Sequence, residues 1–266
     1  MDYLPHFRRE AQAFEDAIRQ AADIGGAPTV PSCPDWSVAD LTLHLGGIHR
    51  YVGLIVRERL QEPPDTADLT VFRLPTDPEG WPLPGPPGRE PLTGELIAWF
   101  ADGARALEAL FGSRAGSEAV WTWSAERSVA FWLRVQTIEV AVHRWDAEST
   151  VGASPRPVDA ELAADAVHHT LTVMAPARRA WKQAPDGTGE RFRFRQTDGP
   201  GRWTAHFEGG DVRLTEGEDG GWDVELSGTA SDLMLFLWQR IPVGERLRVA
   251  GDQTVLDRYF TLVPPV

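Results

Sequence analysis

The sequence predicts a two-domain α+β protein: an N-terminal four-helix bundle followed by a small α+β domain with a mainly antiparallel sheet. Three observations carry this. Apolar residues recur at spacings of three and four through most of residues 5–149, the period of amphipathic helices. After Pro155 the period changes to short alternating runs separated by Gly, Asp and Pro. A chain of 266 residues, 42% hydrophobic and 24% charged, is long enough for two modest domains, each with its own core. The boundary is expected near residue 152, giving domains 1–152 and 153–266.

Taken in order, Phe7, Phe14, Ile18 and Ala22 form one stripe and predict a first helix over 5–24. The run GGAPTVPSCPDW is rich in Gly and Pro and reads as a loop. Ser37, with Asp40 three residues on, is a capping box in its Asp variant and opens a second helix that runs to about residue 60. Leu41, His44, Ile48, Val52 and Ile55 lie along one stripe of it. The proline-rich segment 61–90 has no helical period and is expected to be a long irregular connection. Within it, Phe72 and Trp81 fit either an exposed contact surface or a segment folded back on the bundle. A third helix is expected over 92–111 and a fourth, capped by Ser124, over 125–149. Four such helices pack naturally as a bundle.

A helix over 159–174 should end at Pro176. The runs RFRFRQ, WTAHFEG, DVRLTEG and WDVELSG then read as strands. Phe192 and Phe194 alternate with Arg191, Arg193 and Arg195, the pattern of a strand with one wet face. A helix over 232–240, a strand LRVAG and a last helix over 253–262 complete the second domain.

The net charge of −13 argues against a nucleic-acid partner and against adsorption to anionic membranes. A single cysteine, Cys33, excludes an internal disulfide and a cysteine-based zinc site. There is no signal-peptide core and no stretch of 18 apolar residues, so a cytoplasmic protein is expected. Only Lys182 among the 26 basic residues is lysine, a composition that points to a GC-rich genome. No nucleophile elbow, P-loop or dinucleotide glycine fingerprint is present.

The chemistry concentrates in VQTIEVAVHRWDAE, where Glu139 and His143 stand four residues apart in an apolar helix. Side chains at i and i+4 leave the same face one turn apart. A carboxylate and an imidazole on a buried face are costly unless they pair or hold something. The pair reads equally as a helix ion pair or as two metal ligands. His44, on the apolar stripe of the second helix, reads first as a hydrogen-bonded core histidine. Together, two histidines and one carboxylate make a common first shell for Zn²⁺ and other divalent ions, with positions left open for water or a thiol. His49 lies about 140° round its helix from His44 and suits a flanking role. His168 and His169 diverge by about 100° and do not chelate jointly. Trp81 and Trp145 read first as packing aromatics and second as a pocket lining.

The run VPSCPDWSVADLTLHLGGIHR, together with EVAVHRWD, resembles the mycothiol-dependent maleylpyruvate isomerase family, within the wider DinB-like superfamily of metal-binding four-helix bundles. The resemblance implies that the helix motif L-x-x-H-L falls on Leu41 to Leu45, with His44 as the metal histidine. It places the family's later Glu-x-x-x-His pair on Glu139 and His143. VELSGTASDLMLFLWQRIPVGERLRVAGD resembles the family's second domain, and there Arg240 takes the place of an arginine implicated in substrate handling. The Gly usually before that arginine is Gln239 here.

The resemblance further implies a divalent metal, Zn²⁺ by family precedent, and mycothiol, the low-molecular-weight thiol of actinobacteria, as co-substrate. A small electrophilic molecule is then the second substrate, isomerised from cis to trans by thiol addition and elimination. A mycothiol S-transferase and a non-catalytic metal-binding or regulatory protein are the alternatives that the same residues allow.

Overall fold

The computed structural model describes residues 1–25, 28–74, 92–152, 154–217, 220–244 and 246–265. They form two units, Met1–Arg156 and Pro157–Val266.

The first unit is helical. Its four long helices are α1 (Tyr3–Ile24), α2 (Val38–Glu58), α3 (Gly94–Ser113) and α4 (Val129–Ser149). They pack in a ring in which α1 lies against α4 and α3, and α2 lies against α3 and α4. Phe7, Phe14, Ile18, Leu41, Ile55, Phe100 and Phe131 are among the fully buried side chains that fill it. The Ser37–Asp40 capping box starts α2: Ser37 Oγ accepts from the Asp40 N–H, and Asp40 accepts from the Ser37 N–H. Gly46 lets α2 and α3 close together, since a Cβ there would come within 2.2 Å of the Trp99 ring.

The helix α4 starts later than expected. Ser128, not Ser124, accepts the capping hydrogen bond, from the Phe131 N–H. Ser124 and Thr122 instead bond to each other and to Glu126 in the turn before it. The sequence offers two serines four residues apart, and only the turn decides between them. The expected loop also contains a short antiparallel pair, β1 (Thr29–Val30) and β2 (Cys33–Ser37). Of the proline-rich segment, residues 69–72 form a 3₁₀ turn whose Phe72 folds back and is 4% exposed. Trp81 lies outside the described residues.

One buried ionic network ties α1 to α4. Arg144 donates from Nε to Glu10 (2.9 Å), and from Nη1 to Glu148 (2.9 Å) and to the Arg156 carbonyl (2.5 Å). Because Arg144 follows His143 directly, this network also sets the rotation of α4 about its axis.

The second unit holds a five-stranded sheet in the order β5-β4-β3-β6-β7, with β3 (Gly187–Gln196), β4 (Arg202–Gly209), β5 (Asp211–Glu216), β6 (Val224–Gly228) and β7 (Arg248–Gly251). All neighbours are antiparallel except β3 and β6, which run parallel. Phe192, Phe194, Phe207 and Phe236 surround the fully buried Tyr259 ring. The other face of β3 is less wet than its alternation suggests. Arg193 is 7% exposed, because Thr204 and the Gly220 carbonyl bind its guanidinium.

The helices of this unit depart from expectation at three places. The helix α5 (Ala160–His169) does not end at Pro176 but passes through a π turn at 170–174 into α6 (Ala175–Lys182). In that turn the Ala175 N–H donates five residues back to Thr170. Pro176, in the first turn of α6, then needs no N–H of its own. The helix α7 (Ala230–Leu237) starts and stops earlier than predicted, and Gln239 beyond it takes a left-handed backbone with φ of 58°. The last helix breaks at Arg258 into α8 (Gln253–Asp257) and α9 (Tyr259–Leu262). No helix among the described residues is long and apolar enough to cross a membrane.

Candidate metal centre

The bundle brings His44 of α2 together with Glu139 and His143 of α4. One possible ligand atom from each can be chosen so that all lie within 4.8 Å of one another, the only such group of three or more histidine, cysteine or acidic residues among the described residues. His44 Nε2 stands 3.2 Å from Glu139 Oε1. That is the spacing of neighbouring ligands in a tetrahedral set with bonds of ~2 Å, roughly 3.3 Å. The His44 and His143 rings meet edge to face at 5.1 Å between centroids. The side chains of His44 and Glu139 are 28% and 18% exposed, whereas that of His143 is 7%. The cluster is therefore closed at His143 and open towards solvent at His44 and Glu139.

Each polar group has a partner that fixes its direction. Gln136 donates from Nε2 to Glu139 Oε2 (2.9 Å), which leaves Oε1 turned to His44. His143 Nδ1 bonds to Asp146 Oδ2 at 2.9 Å. With the proton on Nδ1, the lone pair of His143 sits on Nε2, the nitrogen a cation would use. Asp146 is fully buried and also accepts from Ser32 Oγ (2.5 Å), in the tight turn between β1 and β2. Trp36 of β2 lies against the His44 ring at 4.8 Å.

Burial pushes the Glu139 carboxyl up, but the hydrogen bond to His44 and the fields of His44 and His143 outweigh it. Glu139 therefore stays ionised below the ordinary carboxylate range. His49 takes no part in the cluster. It packs between Phe7 and Phe100, and burial lowers its pKa to about 3, so it is neutral. Two imidazoles and one carboxylate form a donor set suited to a borderline divalent ion such as Zn²⁺.

Sequence reasoning missed Gln136, Asp146 and Ser32. Two were visible in principle: residues 136, 139, 143 and 146 recur every three to four positions and share one face of α4. Ser32 carries no such signal, since it meets Asp146 across 114 residues of chain. His168 is on the surface beside Glu216, as its divergence from His169 requires.

Arg240 belongs to the second unit and follows α7. Its N–H donates to the Leu235 carbonyl (2.7 Å) and its Nη1 to the Trp238 carbonyl (2.7 Å). Gln239, immediately before it, takes a left-handed backbone, a conformation that glycine adopts without strain.

A mainly helical unit with a two-histidine, one-carboxylate cluster, followed by an α+β unit with a mostly antiparallel sheet, defines the class of this chain. Residues 7–148 match the mycothiol maleylpyruvate isomerase N-terminal domain and residues 161–258 match the MDMPI C-terminal domain. The chain belongs to the mycothiol-dependent maleylpyruvate isomerase family. A crystal structure of the mycothiol-dependent maleylpyruvate isomerase has the same fold, with a TM-score of 0.59 over 94% of this chain and 93% of that chain, at 12% identity. A sec-alkyl sulfatase variant aligns with a TM-score of 0.32 at 14% identity over 64% of this chain and 26% of that one, too low to carry an argument. No curated protein sequence matches the chain.

Proposed function

We propose that the chain is a metal- and mycothiol-dependent enzyme that adds a thiol to a small electrophilic acid and thereby interconverts its cis and trans forms. The convergence of His44, Glu139 and His143, with one possible ligand atom from each within a common 4.8 Å, carries this reading. These three residues would hold the metal, and Gln136 and Asp146 would keep Glu139 and His143 aimed at it. A divalent metal, when bound there, supplies the positive charge that lets a thiol ionise at neutral pH. The partial exposure of His44 and Glu139 leaves room for that thiol on the open side.

The chemistry on maleylpyruvate is then simple to balance. The mycothiol sulfur adds to one carbon of the cis double bond, and the electron pair moves onto the adjacent carbonyl as an enolate. Rotation about the new single bond follows. Collapse of the enolate expels the same sulfur and restores the double bond in the trans form, with no net redox change. Arg240 would hold the substrate carboxylate and stabilise the enolate charge.

The test is incubation of metal-loaded protein with mycothiol and maleylpyruvate. Fumarylpyruvate formation that needs both the thiol and an intact His44 supports the proposal. Thiol adducts with a model electrophile but no isomerised product would overturn the isomerase step in favour of transfer.

A further inference from the structure

Four arginines among the described residues are almost completely buried: Arg144, Arg178, Arg179 and Arg193, each 7% exposed or less. Three have their guanidinium groups anchored. Arg144 holds Glu10, Glu148 and a carbonyl. Arg179 donates to the carbonyls of Gly209, Gly210, Pro185 and Leu262. Arg193 holds Thr204 and the Gly220 carbonyl.

Arg178 does not follow this rule. It is 4% exposed, yet among the described residues its guanidinium makes no hydrogen bond or ion pair, and its buried Nε has no partner. Its Cζ lies 5.0 Å from the centroid of the Trp238 ring. A cation–π contact offsets part of the charge burial but leaves the buried Nε–H without an acceptor. Such a group is costly unless something outside the chain completes it.

The surroundings concentrate positive charge at this point. Arg240 binds the carbonyl of the same tryptophan, so two arginines bracket Trp238, one at its ring and one at its backbone. Thr170, the first residue of the π turn, accepts from Trp238 Nε1 (3.2 Å) and fixes the indole between them. The buried Tyr259 hydroxyl also has no partner. A π turn and a left-handed glutamine both flank the arginine pair, two local irregularities of the kind found at binding sites.

We propose that Arg178 is a second anion-binding arginine, paired with Arg240 around Trp238, and that its ligand is a small carboxylate. This rests on the reading of Arg240 as the arginine that handles the substrate carboxylate. A planar guanidinium offers a carboxylate two parallel N–H donors, the acceptors that Arg178 lacks.

The experiment is calorimetric titration of the full-length protein with maleate and, separately, with inorganic phosphate at low ionic strength, for wild type, Arg178→Met, Arg178→Lys and Arg240→Met. Arg178→Met should weaken maleate binding at least about tenfold, and Arg178→Lys by less. The ligand-free Arg178→Met protein should melt at the wild-type temperature or above, because an unpaired buried charge has been removed. Unchanged maleate affinity in Arg178→Met would overturn the proposal. So would a wild type that binds phosphate but not maleate, or neither, or an Arg178→Met protein that fails to fold. The isomerase assay separates this inference from the one it rests on. Isomerisation with unaltered KM in Arg178→Met sinks the arginine site alone. Arg178-dependent maleate binding without isomerisation sinks the reaction and keeps the site.

Discussion

His143 Nδ1 and Asp146 Oδ2 lie 2.9 Å apart inside a single helix turn, and Asp146 is completely buried. A carboxylate this deep is costly unless it is bonded, and here both oxygens are: one to His143, the other to Ser32. The pair fixes which imidazole nitrogen faces the cluster. Asp146→Asn should therefore weaken divalent metal binding by about 10- to 100-fold while leaving all three proposed ligands in place. Competition with a chromophoric chelator measures this, and an unaltered affinity would show that Asp146 is only a packing residue.

The Arg144 network makes a separate prediction about stability. Removing one member of a buried ion pair strands its partners, so Arg144→Ala should cost about 3–5 kcal/mol. Urea unfolding reads it as a lower midpoint. A loss below about 1 kcal/mol would mean that Glu10 and Glu148 reach water in the variant, as members of exposed pairs do.

His49 sets part of the pH dependence. Its pKa is lowered from 6.5 to about 3 in the folded state, so in that window the unfolded chain binds a proton that the native chain does not. Nothing is lost above the unfolded value. Below it, stability falls by about 1.4 kcal/mol per pH unit until the folded pKa is reached. His49→Leu should flatten the decline in the urea midpoint between neutral pH and pH 5. Parallel pH profiles of wild type and variant would contradict this.

Gln239 holds a left-handed backbone without being glycine. Gln239→Gly should stabilise the protein by up to about 1 kcal/mol, since relief of the Cβ strain exceeds the added chain entropy. A thermal melt checks the sign.

Much of this was legible in the sequence, for local reasons. The Ser37–Asp40 cap, the Phe192–Phe194 alternation and the spacing of Glu139 from His143 are each set within a few residues. What was not legible depended on distant partners or on close alternatives. Ser128 rather than Ser124 caps α4 because the intervening turn uses Ser124 itself. Pro176 fails to end its helix because a π turn absorbs the missing N–H. Arg193 is buried by Thr204 of β4 and by Gly220 of the connection between β5 and β6, both distant in sequence. Gln136 and Asp146 were visible as a recurring face of α4, but their roles needed the directions of Glu139 and His143. Arg178 looks in sequence like any helical arginine, and only the anchoring of Arg179 beside it shows the difference.

The proposed function requires His44, Glu139 and His143 to hold a catalytic metal together. Elemental analysis of purified protein, wild type against His44→Ala and Glu139→Gln, tests it most directly. Close to one equivalent of divalent metal, Zn²⁺ first among the candidates, is expected in wild type, with a strong loss in both variants. Wild type without stoichiometric metal even after loading, or variants that retain it in full, would rule out a metal site at these three residues.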